Sequence, residues 1–258
     1  MPGTEVKACR KISNRVLILV VAAVLLISNA ATGLICWHQA DEAAHKRADA
    51  EMQTYIVEHS VSRSTTYQRL VNSWTKTLAE VYGDVIFFGD SITAGGLWEE
   101  YYPYLTPVNL GVVGDTIEGL MTRLPQIEML MCEKCFVMIG VNDLNFGSTV
   151  EETLQNYQTM LDSFAEMRDE LGTQFYLQSV LPVREDATIY EIKNEDVCKL
   201  NEGITALADE YEMTYIDVHT LMADDTGALN EAYSFDGLHL TEAGYQVWQE
   251  LLIPYLDE

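Results

Sequence analysis

Positive charge is scarce in this sequence. Its 258 residues carry 15 Lys and Arg against 40 Asp and Glu, a formal net charge of −25. A body so acidic repels nucleic acid and anionic lipid head groups at short range, and a neutral or small substrate suits it better than a polyanion. Histidine is also scarce, with five in the chain. A binuclear metal phosphoesterase could be drawn from Asp90, Asn142, Asp143, Asp236 and His239, but no HxH pair or second histidine stands near them. Five cysteines make no disulfide framework. Cys132 and Cys135 form a CxxC pair, yet no second pair or nearby histidine completes a zinc site. The pair precedes an apolar run instead of opening a helix, so it reads as a small disulfide or two free thiols. No repeat, low-complexity tract or cofactor fingerprint is present.

The few basic residues are unevenly placed. Lys7, Arg10, Lys11 and Arg15 precede an uncharged apolar run, Val16–Trp37, and Asp41-Glu42 follows it. As a helix that run spans about 33 Å, enough for a bilayer core. The charge asymmetry puts the N-terminus in the cytoplasm and everything after the run outside. A cleaved signal peptide ending at Ser28-Asn29-Ala30 is the alternative, and it exports the same acidic body. The expected organisation is a basic N-terminus over 1–15, a transmembrane anchor over 16–37, a polar helical stalk over 38–63 and a globular domain over 64–258.

Within that domain short apolar runs alternate with helical periodicities. Val85–Phe88, Pro107–Leu110, Phe136–Ile139, Phe175–Val180 and Thr214–Val218 have strand length and β-branched or aromatic content. Between them Leu154, Tyr157, Leu161, Phe164 and Leu171 share a helix face opened by a capping box, Thr149 to Glu152. Leu200, Ile204, Leu207 and Tyr211 form a second face; Tyr245, Trp248, Leu252 and Tyr255 form a third, capped by Thr241. Strands apolar throughout predict a parallel sheet covered on both faces. Ligands then sit beyond the carboxyl ends of the strands.

Glycine-bearing polar clusters fall on that edge. Gly89-Asp90-Ser91 follows the first run, "NLGVVGDT" with Gly114 the second, "GVND" with Asn142 the third, and "DGLH", Asp236 to His239, precedes the last helix. Singly, each reads as a turn or helix cap. Together they supply the parts of acyl transfer. A serine hydroxyl needs an imidazole to take its proton, and the imidazole needs a carboxylate to fix its tautomer. The oxyanion needs donors, for which the Ser91 and Gly114 N–H groups and the Asn142 amide are candidates. Asp236, three residues before His239, is close enough to orient its ring.

"FFGDSIT", "NLGVVGDT", "IGVND" and "DGLHLTEAGY" resemble the four sequence blocks of the SGNH, or GDSL-type, hydrolases in order and spacing, over Val85 to Glu258. The resemblance implies Ser91 as nucleophile, Asp236 and His239 as its triad partners, and Ser91, Gly114 and Asn142 as the oxyanion hole. It implies a three-layer α/β/α sandwich with a five-stranded parallel, flavodoxin-like sheet, and neither metal nor cofactor. Ile92 stands where many members have Leu, and the G-x-S-x-G elbow of another hydrolase class is absent because Thr93 occupies its last position. The expected function is a membrane-anchored, extracytoplasmic serine esterase acting on short-chain or O-acetyl esters of small molecules or glycans. An acyltransferase on the same triad and a non-catalytic surface-binding module are the alternatives. Trp98, Tyr101, Tyr102 and Tyr104 either line a substrate pocket or pack a loop. Val183–Asp196 reads as a mobile loop over the site, with Tyr190 and Asn194 as contacts.

Overall fold

The three central apolar runs, Val85–Phe88, Phe136–Ile139 and Phe175–Val180, become strands hidden on both faces, whereas the two edge runs keep Asn109 and Thr214 exposed. In the computed structural model, which describes residues 83–257, β1 (Val85–Gly89), β2 (Pro107–Gly111), β3 (Lys134–Met138), β4 (Gln174–Gln178) and β5 (Thr214–Ile216) form one parallel sheet of order β2-β1-β3-β4-β5. This is the flavodoxin-like order, with the direction of winding reversing at β1. All of β1 is buried, and Phe87 lies between Phe136 on the neighbouring strand and Trp98, stacked on the latter at 3.9 Å. Gly89 pairs with Gly111 on one side and Met138 on the other, so the three strands reach the carboxyl edge together.

The last two strands stop two residues earlier than their composition predicts. Ser179 is the cause: its Oγ accepts from the backbone N–H groups of Val218 and His219 at 2.9 and 2.7 Å. A side chain thus takes the place of the ladder at the strand ends.

The described helices are α1 (Ser91–Ala94), α2 (Trp98–Tyr101), α3 (Ile117–Met121), α4 (Leu124–Leu130), α5 (Val141–Asn145), α6 (Val150–Leu171), α7 (Asn194–Glu210), α8 (His219–Met222) and α9 (Glu242–Asp257). The Thr149–Glu152 capping box opens α6, with Glu152 N–H to Thr149 Oγ1 at 3.1 Å and Thr149 N–H to Glu152 Oε2 at 2.8 Å. Tyr157, Leu161 and Phe164 are buried as their spacing predicts, whereas Leu171 at the helix end is exposed. On α9, Tyr245, Trp248 and Leu252 enter the core, and Thr241 Oγ1 accepts from Gly244 N–H at 3.3 Å. The expected loop Val183–Asp196 is shorter than its composition predicts, because α7 already begins at Asn194.

Two expectations are settled by burial. Trp98 and Tyr102 are core residues: Trp98 Nε1 donates to Thr93 O at 3.0 Å, and Tyr102 Oη to Gln249 O at 2.9 Å. Cys132 and Cys135 are buried free thiols, Cys132 donating to Gly83 O and Cys135 lying inside β3. The expected anchor, the stalk and residues 64–82 lie outside the described residues. Among the described residues no helix is long and apolar enough to cross a membrane.

Candidate active site

Ser91 is the first residue of α1, directly after β1 and Asp90. Asp90 is the N-cap, its Oδ1 accepting from Ile92 N–H at 2.9 Å. That bond turns the chain sharply and leaves Ser91 half-exposed at the top of a buried strand. Its Oγ lies 3.1 Å from His239 Nε2. On the other side of the ring, His239 Nδ1 lies 2.7 Å from Asp236 Oδ2. A proton on Nδ1 satisfies the carboxylate and leaves the Nε2 lone pair facing the serine hydroxyl.

The turn carrying His239 and Asp236 is built from its own backbone. Asp236 Oδ1 accepts from the N–H groups of Leu238 and His239 at 3.0 and 2.7 Å. Ser234 Oγ donates to His239 O at 2.8 Å and accepts from Gly237 N–H at 2.9 Å. Partial burial alone would raise the Asp236 pKa; the bonds from the His239 ring, its N–H and Leu238 N–H together hold it below the usual carboxylate value. Gly237 has φ +83°, and a Cβ there would lie 2.8 Å from Arg184 O. Only glycine fits.

Asn142 lies on α5 immediately past β3 and is buried. Its Nδ2 donates to Asp115 O at 2.9 Å and, more weakly, to Asp90 Oδ2 at 3.3 Å. Gly114, φ +73°, sits in the preceding loop next to Asp115. The first of these bonds therefore ties the Asn142 amide to the Gly114 turn, and the second ties it to the residue beside Ser91. Of the loop residues expected at the site, Tyr190 reaches it, its ring edge-on to His239 with centroids 6.4 Å apart. Asn194 does not. Its side chain clamps Val183, accepting from N–H at 2.7 Å and donating to O at 2.6 Å.

Beneath the strand ends lies a charged core that spacing alone could not reveal. Arg123 is buried with Asp115, its Nε and Nη2 donating to Asp115 Oδ2 at 3.0 and 2.5 Å. Its remaining donors reach Leu110 O at 2.7 Å and Gly89 O at 3.3 Å, and its guanidinium lies 4.5 Å over the Phe88 ring. Asp143 is buried nearby and accepts from Ile117 N–H at 3.2 Å. Burial, reinforced by the neighbouring carboxylates, raises both Asp90 and Asp143 to about 7. Phe235 was also missed: it is 72% exposed and stacks beside His239 at 6.0 Å with an interplanar angle of 16°. The one available signal was its place directly before Asp236. Among the described residues no group of three or more His, Cys, Asp or Glu converges as a metal site.

A flavodoxin-like sheet with a serine, an imidazole and a carboxylate in line at its carboxyl edge is the architecture of an ester hydrolase. The chain belongs to the GDSL-like lipase/acylhydrolase family, whose model matches residues 87–247. It is 28% identical over 173 residues to an N-acylneuraminate cytidylyltransferase of Streptococcus agalactiae, covering 67% of this chain and 38% of that protein. The chain thus spans well under half the length of that relative. It is 24% identical over 166 residues to the human platelet-activating factor acetylhydrolase IB subunit alpha1, covering 63% of this chain and 70% of the subunit. A solved Streptococcus pneumonia protein described as a platelet activating factor superposes with a TM-score of 0.67 at 27% identity, covering 82% of this chain and 99% of that one.

Proposed function

We propose that this chain is a serine esterase for short acyl esters, acetyl esters foremost, working through Ser91, His239 and Asp236. The observation that carries the reading is the unbroken line from Ser91 Oγ to His239 Nε2 and from Nδ1 to Asp236. Ser91 Oγ attacks the ester carbonyl and passes its proton to Nε2, while Asp236 stabilises the imidazolium. The carbonyl oxygen takes on negative charge where the N–H groups of Ser91 and Gly114 and the Asn142 amide are at hand. The long 3.3 Å bond to Asp90 is the one Asn142 gives up to reach it. The alcohol leaves with the proton from Nε2, and water then repeats the sequence on the acyl-enzyme. The acetylhydrolase name of a relative supports the short acyl group.

Ser91→Ala should fold with an unchanged melting temperature, lose nearly all esterase activity and escape labelling by a fluorophosphonate probe. Labelling that persists in the mutant would move the nucleophile elsewhere. The reading extends to location: the uncharged Val16–Trp37 run behind Lys7, Arg10, Lys11 and Arg15 supports a single membrane anchor with the esterase outside the cytoplasm. Protease added to intact cells should release an active soluble fragment; a domain protected from it would reverse the orientation.

A further inference from the structure

The turn that carries Asp236 and His239 makes its own internal bonds, but it must also be held at the right height over Ser91. His239 Nε2 lies 3.1 Å from the serine Oγ, and proton transfer depends steeply on that separation. What meets the tip of the turn from outside is Arg184. Gly237 O accepts from Arg184 N–H at 2.8 Å, and the space of a Gly237 side chain is taken by Arg184 O, Thr188 N and the Ala187 carbonyl carbon.

Arg184 faces two ways. Its backbone serves the catalytic turn, while its side chain reaches a different one. Nη2 donates to Asp224 Oδ2 at 2.7 Å, the two side chains being 22% and 24% exposed. The buried Nε meets no acceptor among the described residues, so Nη2 is where the guanidinium is anchored. Asp224 is itself fixed, its Oδ1 accepting from Thr226 N–H at 2.8 Å and Ala228 N–H at 3.3 Å.

The surrounding chain shows why such an anchor is needed. Val183 is clamped by Asn194, and its O also accepts from Leu229 N–H at 3.4 Å. Between Arg184 and Asn194 the chain forms neither helix nor strand. Arg184 O gathers its start into a turn, accepting from Ala187 and Thr188 N–H, both at 3.0 Å. Glu185 adds bonds to Lys193 Nζ and Asn194 N–H, but these are exposed. The tip of the catalytic turn therefore rests on an irregular segment, and the half-buried Arg184–Asp224 pair pins that segment where Gly237 meets it.

From this arrangement we propose that Arg184 is a positioning residue for the general base. Its ion pair with Asp224 fixes the backbone N–H that holds Gly237 O, and so sets the distance from His239 Nε2 to Ser91 Oγ. The proposal rests on the Ser91-centred esterase reading and adds to it the strut behind the base. A misplacement of about 1 Å costs about 10²-fold in rate; releasing one end of the strut costs less, about tenfold in kcat. The loss falls on proton transfer and not on binding, so KM stays within a few-fold.

The test is a double-mutant cycle on the full chain with p-nitrophenyl acetate. Arg184→Met removes the ion pair and keeps the backbone N–H; Asp224→Asn removes it from the other side and keeps an oxygen for Thr226 and Ala228. Each should lower kcat about tenfold with KM nearly unchanged, and the double variant should lose no more than either alone, since one interaction is broken in all three. Arg184→Lys keeps a charge within reach of Asp224 and should recover most of the rate. All rates are read well below the melting temperature of each variant, so unfolding does not enter them. An unmoved kcat in Arg184→Met, even with a lowered melting temperature, overturns the strut. So do losses that multiply in the double variant, or an Arg184→Lys as slow as Arg184→Met. Ser91→Ala separates the two readings. If it is inactive, these outcomes remove the strut alone; if it still hydrolyses the ester, the esterase reading falls and the strut with it.

Discussion

The two halves of the site are held by opposite means. Ser91 and Asn142 stand on the ends of β1 and β3, above buried charges: Arg123 and Asp115 as a pair, with Asp90 and Asp143 held as weak acids by burial. His239 and Asp236 stand on a half-exposed turn whose carboxylate is satisfied by nearby N–H groups. The first half is rigid because its polar atoms have nowhere else to go, and it is costly because ions are kept from water. The second is local and inexpensive, since its bonds are made between residues a few positions apart. The nucleophile and oxyanion hole we propose are drawn from different strands and must be aligned by the core. A base and its orienting carboxylate three residues apart need only a turn.

Breaking the buried half should therefore unfold the protein, and Arg123 is the place to break it. Arg123→Met removes the partner of Asp115 and strips a donor from both Leu110 O and Gly89 O. Removing one member of a buried pair typically costs about 3–5 kcal/mol. Urea unfolding should show a loss of that order, and Asp236→Asn on the exposed turn should show far less. Equal losses in the two variants would erase the distinction between the halves.

The next effect is on rate. Asn142 stands where the two requirements meet, since its amide is bound to Asp115 O and Asp90 Oδ2 in the free protein and, in the mechanism we propose, turns to the oxyanion. Asn142→Ala should lower kcat by about 10²–10³ and leave KM within a few-fold. Asn142→Asp should be slower still, because a carboxylate would face both Asp90 and the developing oxyanion. A loss of kcat matched step for step by a loss of melting temperature would reduce Asn142 to a structural residue.

These two residues also mark how far the sequence could be read. Asn142 was legible because it follows an apolar strand within a block, "GVND", that recurs in order with the others. The central strands were legible because burial on both faces leaves an unbroken apolar run. Arg123 was not legible: its partner lies eight positions back, its carbonyl partners belong to two different strands, and a lone arginine in "TRLPQ" looks like any surface arginine. Trp98 and Tyr102 could be weighed as pocket or packing, but only the fold shows that their helix lays them on Phe87. Strand ends were misplaced where a side chain, Ser179, takes over the backbone bonds, an event that leaves no periodic trace.

The smallest effect sharpens the comparison by isolating the cost of one buried charge. Asp143 is raised to about 7, first by burial and further by Asp115 and Glu118, against the lowering influence of the N–H groups of Ile117 and its own backbone. In the unfolded chain its carboxyl ionises near the ordinary aspartate value of 3.8. Between these values the folded state holds a proton that the unfolded state has lost, so stability falls as pH rises and levels off above about 7. From pH 6 to 8 the unfolded group stays ionised while the folded one goes from mostly protonated to mostly ionised. The net loss over that window is about 1.4 kcal/mol for one such group. Asp90, raised to about 7 mainly by burial, contributes a similar fall, and the two are coupled directly, since the Asp143 charge also raises Asp90. Asp143→Asn keeps an oxygen to accept from Ile117 N–H and removes the titration. Denaturant unfolding at pH 6, 7 and 8 should show a fall in stability for wild type that is about 1.4 kcal/mol steeper than for the variant. The fully local Asp236 turn predicts the opposite sign for its own carboxylate, whose lowered pKa adds stability above the unfolded value and loses it on acidification. Parallel pH profiles for wild type and Asp143→Asn would mean that Asp143 is ionised throughout, and the buried half would then carry its charge without strain.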